Sequence, residues 1–252
     1  MEKYKIFLGS VNSKTYDEAK NFTFEAVKVY AERLNISLNA INTYIGHVFS
    51  VISSLRDYHS ALASKALLEN NLTGFKQNAY VAGFLTILSK DYSQWAYQGY
   101  NTDYFALILL SDNQQLIDYL VTHRDEIVDI SVPYRRNDTR AFFNANTLLA
   151  LSGDWALLKE CALIFLNDEK KSKGETKRIP DQEFYVALAD KDVEGMKTAL
   201  AKLLELKLPK RASRDTLLHF DFYLQPQVLM YAKIAAIHGF DLGIDSPIAP
   251  KE

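Results

Sequence analysis

The chain has 252 residues, of which 48% are hydrophobic and 24% are charged, and its formal net charge is -2. Because no global basic field would attract a phosphate backbone, we expect no direct nucleic-acid partner. The single cysteine, Cys161, excludes an intramolecular disulfide, and no segment has the roughly 18 uninterrupted apolar residues of a membrane span, so we expect a cytoplasmic protein with no membrane partner.

Glycine and proline are sparse inside the long apolar-periodic segments, which is typical of helices and unusual in hairpin-rich β proteins. The first such segment has apolar residues at steps of three and four, which predicts an amphipathic helix. We expect its packing face to consist of Ala19, Phe22, Ala26, Val29, Tyr30 and Leu34.

Three more apolar stretches follow, at residues 38–55, 62–68 and 75–88. We predict that each is helical, with the turn-prone segment 70–74 separating the last two. The first of these predictions places one helix across residues 38–55.

The second half contains three units that each consist of a helix, a short polar break and another helix. Asp112, Asp154 and Asp192 mark the breaks and lie about 40 residues apart, close to the period of stacked helical pairs. Ser111 and Gln114 are spaced as a capping box for the helix after the first break. We therefore predict an all-α fold of antiparallel helix pairs, stacked as a degenerate α-solenoid-like array similar to tetratricopeptide repeats.

Length and composition favour one helical domain over residues 1–252, with a possible division into N-terminal helices at 1–95 and helix-pair repeats at 96–252. The highly charged stretch 167–178 is predicted to be a solvated loop. A basic stretch at 207–214 contains Pro209, which predicts a break there. The final helix is predicted from Pro226 to His238.

No pattern in the sequence carries recognisable catalytic chemistry. Cys161 lies on an apolar helical face, which favours a core thiol over a nucleophile. His219 and Asp221 flank Phe220 and could form a hydrogen-bonded acid–base pair. No third partner and no glycine-rich oxyanion turn is visible in the sequence, so a structural role is favoured. The five histidines lack metal-ligand spacing, and no glycine-rich phosphate loop occurs. We expect no catalytic residue, no metal and no cofactor, and the protein is predicted not to be an enzyme.

Three segments are candidates for contact with a partner protein. The aromatic segment 95–104 is either an exposed recognition loop or a buried helix junction. The basic pair Arg135 and Arg136 after Tyr134 either contacts an acidic partner or is simply solvated. The acidic residues near 190 either oppose a basic partner or cap a helix.

The C-terminal residues carry a family resemblance. An alanine-rich helix with Ala232 and Ala235 ends at Gly239, and it is followed by Asp245-Ser246-Pro247 and a second proline, Pro250. This arrangement resembles the immunity protein 49 family. Independently of that name, the glycine ends the helix and the prolines prevent another, so the tail should pack back as a clasp.

The resemblance implies an antitoxin of a bacterial polymorphic toxin or type VI secretion system, which binds and neutralises a cognate toxin by direct contact. The resemblance assigns no functional residue to a position of this chain, and it does not identify the toxin's activity or the oligomeric state. Two other functions remain: a tetratricopeptide-like scaffold that binds peptides, and an enzyme in which Cys161, His219 and Asp221 converge. Our candidates for toxin contact are Tyr97, Tyr100, Tyr134, Arg135, Asp190, Asp192 and Glu194.

Overall fold

The computed structural model describes residues 2–89, 101–127, 139–171, 173–205, 220, 224–246 and 249. The fold is all-α, as predicted, and the described residues form no strand, since Ser246 and Ala249 make only an isolated bridge. In chain order the helices are α1 (Glu2–Asn42), α2 (Val48–Leu68), α3 (Leu72–Ser89), α4 (Asn101–Leu110), α5 (Gln114–Thr122), α6 (Arg124–Ile127), α7 (Thr139–Ser152), α8 (Trp155–Asn167), α9 (Lys173–Thr176), α10 (Ile179–Ala189), α11 (Val193–Leu204) and α12 (Pro226–Ile237).

The N-terminal helices pack in sequence, with α1 against α2, α2 against α3 and α3 against α4. Gly83 permits the contact between α3 and α4, because a Cβ at this position would lie only 2.9 Å from Cγ1 of Ile108. The prediction of one continuous helix at residues 38–55 is wrong. The helix ends at Asn42, and the N–H groups of Ile45 and Gly46 both donate to the carbonyl of Ala40, which closes the end of α1.

Gly46 permits the turn that closes α1. A Cβ at residue 46 would lie 2.7 Å from the backbone nitrogen of Ile41, a distance that no side chain can adopt without a backbone shift. The stretch predicted at 62–68 is part of the single helix α2. The next helix begins at Leu72, so the predicted turn at 70–74 is too long: residues 72–74 belong to α3.

The three predicted breaks of the second half are confirmed, although their caps differ in detail. Asp192 caps α11 by accepting from the backbone N–H of Gly195 at 2.9 Å. The predicted Ser111 capping box is wrong, because Asn113 is the N-cap of α5 and accepts from the N–H of Leu116 at 3.1 Å. The Ser111 hydroxyl instead donates to the carbonyl of Ile108.

The charged stretch 167–178 is only partly the solvated loop that we predicted. The Lys171 ammonium donates to the carbonyls of Phe165 and Leu166, the last turn of α8. Arg178 is buried, with its guanidinium 5.1 Å from the centroid of the Phe143 ring. These contacts fix both ends of the stretch to the core.

The main hydrophobic core is built from α4, α5, α7, α8, α10, α11 and α12. At its centre the Phe184 ring stacks on the Tyr231 ring with centroids 4.7 Å apart. The Asp181 carboxylate is fully buried and accepts from Gln227 and from the Tyr231 hydroxyl, which joins α10 to α12. Burial, together with the charge of Asp181, raises the pKa of Tyr231 well above its ordinary value.

The C-terminal tail packs back on the core, as predicted. Gly239 has a φ of +86°, which ends α12 in the left-handed conformation that glycine adopts readily. Leu242 and Ala249 are buried in the main core, and Nε2 of His238 lies 2.8 Å from the carbonyl oxygen of Ala150. The end of α12 is therefore fastened to α7, and the tail that follows it packs on the core.

Asp112 joins three separate elements, because its carboxylate pairs with Lys76 of α3 at 2.6 Å and also with Lys233 of α12. Burial alone would raise the pKa of Asp112, but the hydrogen bonds from Lys233 and Lys76 outweigh it and hold the pKa below its ordinary value of 3.8. Because its native pKa is lowered, the ionised carboxylate stabilises the fold at pH values above the pKa of the unfolded state. This stabilisation is lost as the pH falls through the native pKa.

We therefore expect Asp112→Asn to lower stability at neutral pH and to flatten the loss of stability that occurs as the pH falls from neutrality through the native pKa of Asp112. Asparagine tolerates the positive φ of 58° at this position, so the backbone is preserved. Urea unfolding midpoints across that range measure the effect. Asp118→Asn, which removes a carboxylate bonded to Gln114, is the control and should leave the pH profile unchanged in shape.

Candidate functional site

Four of the residues predicted to contact a toxin lie outside the described residues. They are Tyr97, Tyr100, Tyr134 and Arg135. Their role stays a prediction.

The other three predicted residues lie together at the turn between α10 and α11. The Asp190 carboxylate pairs with the Lys159 ammonium at 2.6 Å, the Asp192 carboxylate caps α11, and the Glu194 carboxylate pairs with Lys197 at 2.9 Å. Since all three carboxylates already have partners in the chain, a basic ligand would have to compete with two lysines. The turn is available to solvent, but its net negative charge is small.

The predicted core role of Cys161 is confirmed, since this residue is fully buried in the main core. Burial raises the pKa of the Cys161 thiol to about 12, with the nearby charges of Glu160 and Asp154 adding to the effect. A nucleophilic cysteine must be a thiolate, so this one is unreactive near neutral pH. His219 and Asp221 lie outside the described residues.

The native protein should therefore resist alkylation of Cys161 by iodoacetamide at pH 8, because the thiol is buried and protonated. In urea the same thiol should react at the rate of a free cysteine. Mass spectrometry of both samples measures the modified fraction. Rapid labelling of the folded protein would show that the thiol is accessible and would support the alternative that Cys161 is a nucleophile.

Three of the described histidines make structural contacts. Nδ1 of His59 lies 2.9 Å from Oδ1 of Asn78, and His123 and His238 both occupy the C-cap of a helix. Within the described ranges no group of three histidine, cysteine, aspartate or glutamate side chains is placed to hold a metal ion. In the same part of the chain, no helix combines the length and the hydropathy needed to cross a bilayer.

Exposed apolar side chains are concentrated in the N-terminal helices. In the part of the chain that the structure describes, every exposed large hydrophobic side chain lies between residues 22 and 84, and none lies after Phe84. Scattered exposed hydrophobic residues are normal, but a concentration on one end of a molecule marks a contact surface. The set is Phe22, Val29, Ile36, Leu38, Tyr44, Ile45, Val48, Leu72, Tyr80 and Phe84.

Three of these residues form a line along α1, which we call the outer stripe: Phe22, Val29 and Ile36. Their seven-residue spacing places them on one helical face, and the exposed fractions of Val29 and Ile36 are 50% and 68%. The helix that packs most extensively against α1 is α2, so α1 lies at the edge of the molecule. The outer stripe therefore lies beside the contact with α2, on the part of α1 that remains exposed.

The packing face predicted for α1 is partly wrong, because Phe22 and Val29 were assigned to it. Thr23 and Ala26 are the buried residues of this segment. Their small side chains allow α1 to approach α2 closely, and Phe24 fills the remaining space beside the Lys20 and Lys65 ammonium groups. Phe22 and Val29 lie four and three residues from Ala26, so they flank the packing face at its exposed edge.

The turn between α1 and α2 adds a second apolar feature, which we call the hairpin tip: Tyr44, Ile45 and Val48. Tyr44 is 99% exposed and Ile45 is 84% exposed. Tyr44 has a φ of +59°, a conformation that is uncommon for a bulky residue and that concentrates at functional sites. The tip thus projects two large apolar side chains into solvent.

Charges near the outer stripe are of both signs and largely paired. Glu25 and Lys28 form an exposed ion pair at 2.7 Å, and the Arg33 guanidinium lies 5.2 Å from the Tyr30 ring centroid. Burial raises the pKa of Tyr30, and the charge of Asp57 adds to that effect. Because residues 20–42 have three positive and two negative side chains, the net charge is small, and apolar contact is the interaction that this surface offers most strongly.

Sequence reasoning missed the outer stripe, although a signal for it was present. The seven-residue spacing of Phe22, Val29 and Ile36 is visible in the sequence, and the same helix has a second set of small residues at 23 and 26. Phe22 and Val29 are helical neighbours of Ala26, so periodicity alone assigns all three to one face. Only the structure shows that Phe22 and Val29 are exposed while Ala26 is buried.

A family model described as Immunity protein 49 matches residues 13–252, nearly the whole chain. No curated protein and no solved structure gives a significant match.

Proposed function

The chain belongs to the immunity protein 49 family, and on that premise we propose that it neutralises a cognate bacterial toxin by binding it directly. Family membership implies a toxin as partner in general. Direct, stoichiometric inhibition is supported by a fold whose exposed apolar side chains are gathered at one end. We place this activity in the cytoplasm of the cell that makes the protein.

The outer stripe and the hairpin tip form the proposed contact surface. Terminal helices of stacked helical arrays usually have a polar outer face, because nothing covers them. Here the outermost helix α1 has an apolar stripe instead, and this is the observation that carries the proposal. A partner that covers it would remove apolar surface from water, which is the main favourable term in protein association.

The expected energetics are those of a standard interface. A stable complex buries about 800 Å² on each partner, and a few well-packed aromatic and aliphatic side chains contribute most of the affinity. Tyr44 combines a large apolar ring with a hydroxyl, which suits it to the centre of such a contact. Inhibition then follows because the bound protein covers the toxin's active site or its substrate surface.

The acidic turn of Asp190, Asp192 and Glu194 stays a second candidate contact. It would suit a basic toxin, because opposite charges accelerate association. Its carboxylates are paired with Lys159, Lys197 and the N-terminus of α11, so a toxin would gain less from it than from three free carboxylates.

Co-expression with the toxin encoded beside its gene tests the function. Cells that express both proteins are expected to grow, and the purified pair should elute as one complex in size-exclusion chromatography. Survival no better than with an empty vector would count decisively against an immunity function. Protection without a complex would retain the function and reject direct binding.

A further inference from the structure

A cavity of about 560 Å³ lies between the turn that joins α2 to α3, the end of α4, helix α12 and the tail. Its apolar walls include Leu67, Phe75, Leu110, Leu229 and Phe240. Leu67 and Phe75 are themselves buried core residues, so the floor is part of the folded structure. Cavities of this size with mostly apolar walls and a few polar groups are typical of binding sites.

The charges at the rim are already balanced. Asp112 and Lys233 both line the cavity and pair with each other, and Lys76 pairs with the second oxygen of the same carboxylate. Asp241 also lies on the rim, where its carboxylate accepts from the N–H of Gly243 at 2.8 Å. An uncharged apolar occupant could therefore enter without separating these pairs or leaving a charge unpaired.

One wall of the cavity is partly main chain. Gly239 and Gly243 line it beside the side chains of Phe240, Leu242 and Ile244, and a Cβ built on either glycine would meet no atom within 4 Å. Because glycine has no side chain, another backbone can approach this segment closely. The N–H groups of both glycines already donate, Gly239 to the carbonyl of Ala236 and Gly243 to the Asp241 carboxylate, so this wall offers close approach rather than free donors. A short peptide segment can lie against such a wall while one of its side chains enters the apolar pocket, and this favours a peptide over a lipid.

The cavity is adjacent to the exposed apolar set of the N-terminal helices. Leu72 belongs to both, because it lines the cavity and is among the exposed hydrophobic residues. The cavity thus extends apolar contact from the outside of the molecule into a pocket, where a side chain can be fully desolvated. Such pockets are where interface hot spots concentrate.

We propose that this cavity receives an apolar anchor of the toxin, a leucine or an aromatic side chain on a short segment whose backbone lies against residues 239–244. This inference rests on the proposed function and adds the position of the anchor. Filling the cavity should therefore weaken the complex without disturbing the fold.

Ala236 provides the test, because it lines the cavity from the exposed side of α12. Ala236→Phe places a ring in the space proposed for the anchor. We expect its affinity for the toxin, measured by calorimetry, to fall about tenfold or more, with an unchanged melting temperature. Ala201→Phe on α11 makes the same change at another exposed alanine and should bind like the unmodified protein.

Hydrogen exchange on the unmodified protein supplies a measurement that does not depend on how a variant folds. Toxin binding is expected to slow exchange of the backbone amides in residues 239–244. Full affinity of a folded Ala236→Phe, or unchanged exchange in 239–244, would overturn the cavity proposal while leaving the function intact. A dimer that Ala236→Phe dissociates would assign the cavity to a second copy instead. Absence of any complex with the unmodified protein would reject the function itself.

Discussion

Replacing Val29 and Ile36 together by glutamate is expected to abolish protection against the toxin while leaving the fold intact. Both side chains are at least half exposed in the free protein, so the added charges remain in water there. In the complex the same two carboxylates would be buried without partners, which costs several kcal/mol. We expect the dissociation constant to rise about 100-fold or more.

The binding constant of the purified pair and survival in co-expression both measure this effect. A matched control adds the same two charges elsewhere, with Ala156→Glu on α8 and Ala201→Glu on α11, both at exposed positions. The control should protect like the unmodified protein. If the control lost binding and the α1 variant kept it, the contact surface would be on the α8 and α11 side, where the acidic turn lies.

The largest loss of stability is expected for Phe184→Ala. Phe184 is fully buried and stacks on Tyr231, in contact with the network that joins α10 to α12. Removing a buried ring forfeits its transfer free energy and leaves a cavity, which together cost about 3–5 kcal/mol. Urea unfolding followed by circular dichroism measures the free energy of unfolding.

Phe22→Ala is the natural control for that measurement, because it is the same substitution at a half-exposed ring on the outer stripe. It is expected to change the free energy of unfolding by less than about 1 kcal/mol and to weaken toxin binding instead. Should Phe22→Ala destabilise the protein as much as Phe184→Ala, the outer stripe would belong to the core and not to an interface.

The sequence was sufficient for the fold class and for the breaks in the second half. Residues at those breaks carry short-range signals: Gly153 has a φ of +71°, and Asp192 caps α11 with its own side chain. Such signals depend on one or two residues and are visible without a structure. The stacking of helix pairs into a solenoid, and the division of the chain at 95, stay predictions.

Details that depend on backbone register were harder to predict. The capping signal was assigned to Ser111, two residues before the true cap at Asn113, because both residue types serve that role. The break at Gly46 was missed because the surrounding residues are apolar and continue the helical pattern. Arg178 was placed in solvent because a charged stretch does not reveal that one guanidinium lies over a ring.

The candidate site shows that hydrophobic periodicity alone does not distinguish a core face from a contact surface. Phe22 and Val29 are apolar at helical spacing, and that pattern is the same whether the side chain packs inside the protein or against a partner. The acidic turn was found from its composition, but the sequence does not show that Lys159 pairs with Asp190. The resemblance was drawn from the C-terminal residues, whereas the family match spans residues 13–252.

A structure of the protein bound to its toxin is the most direct test of the claim that α1 and the hairpin tip make the contact. In that complex Val29, Ile36, Tyr44 and Ile45 are expected to become buried against the toxin, in a one-to-one assembly. A complex in which these four side chains remain as exposed as in the free protein would show that the toxin binds elsewhere.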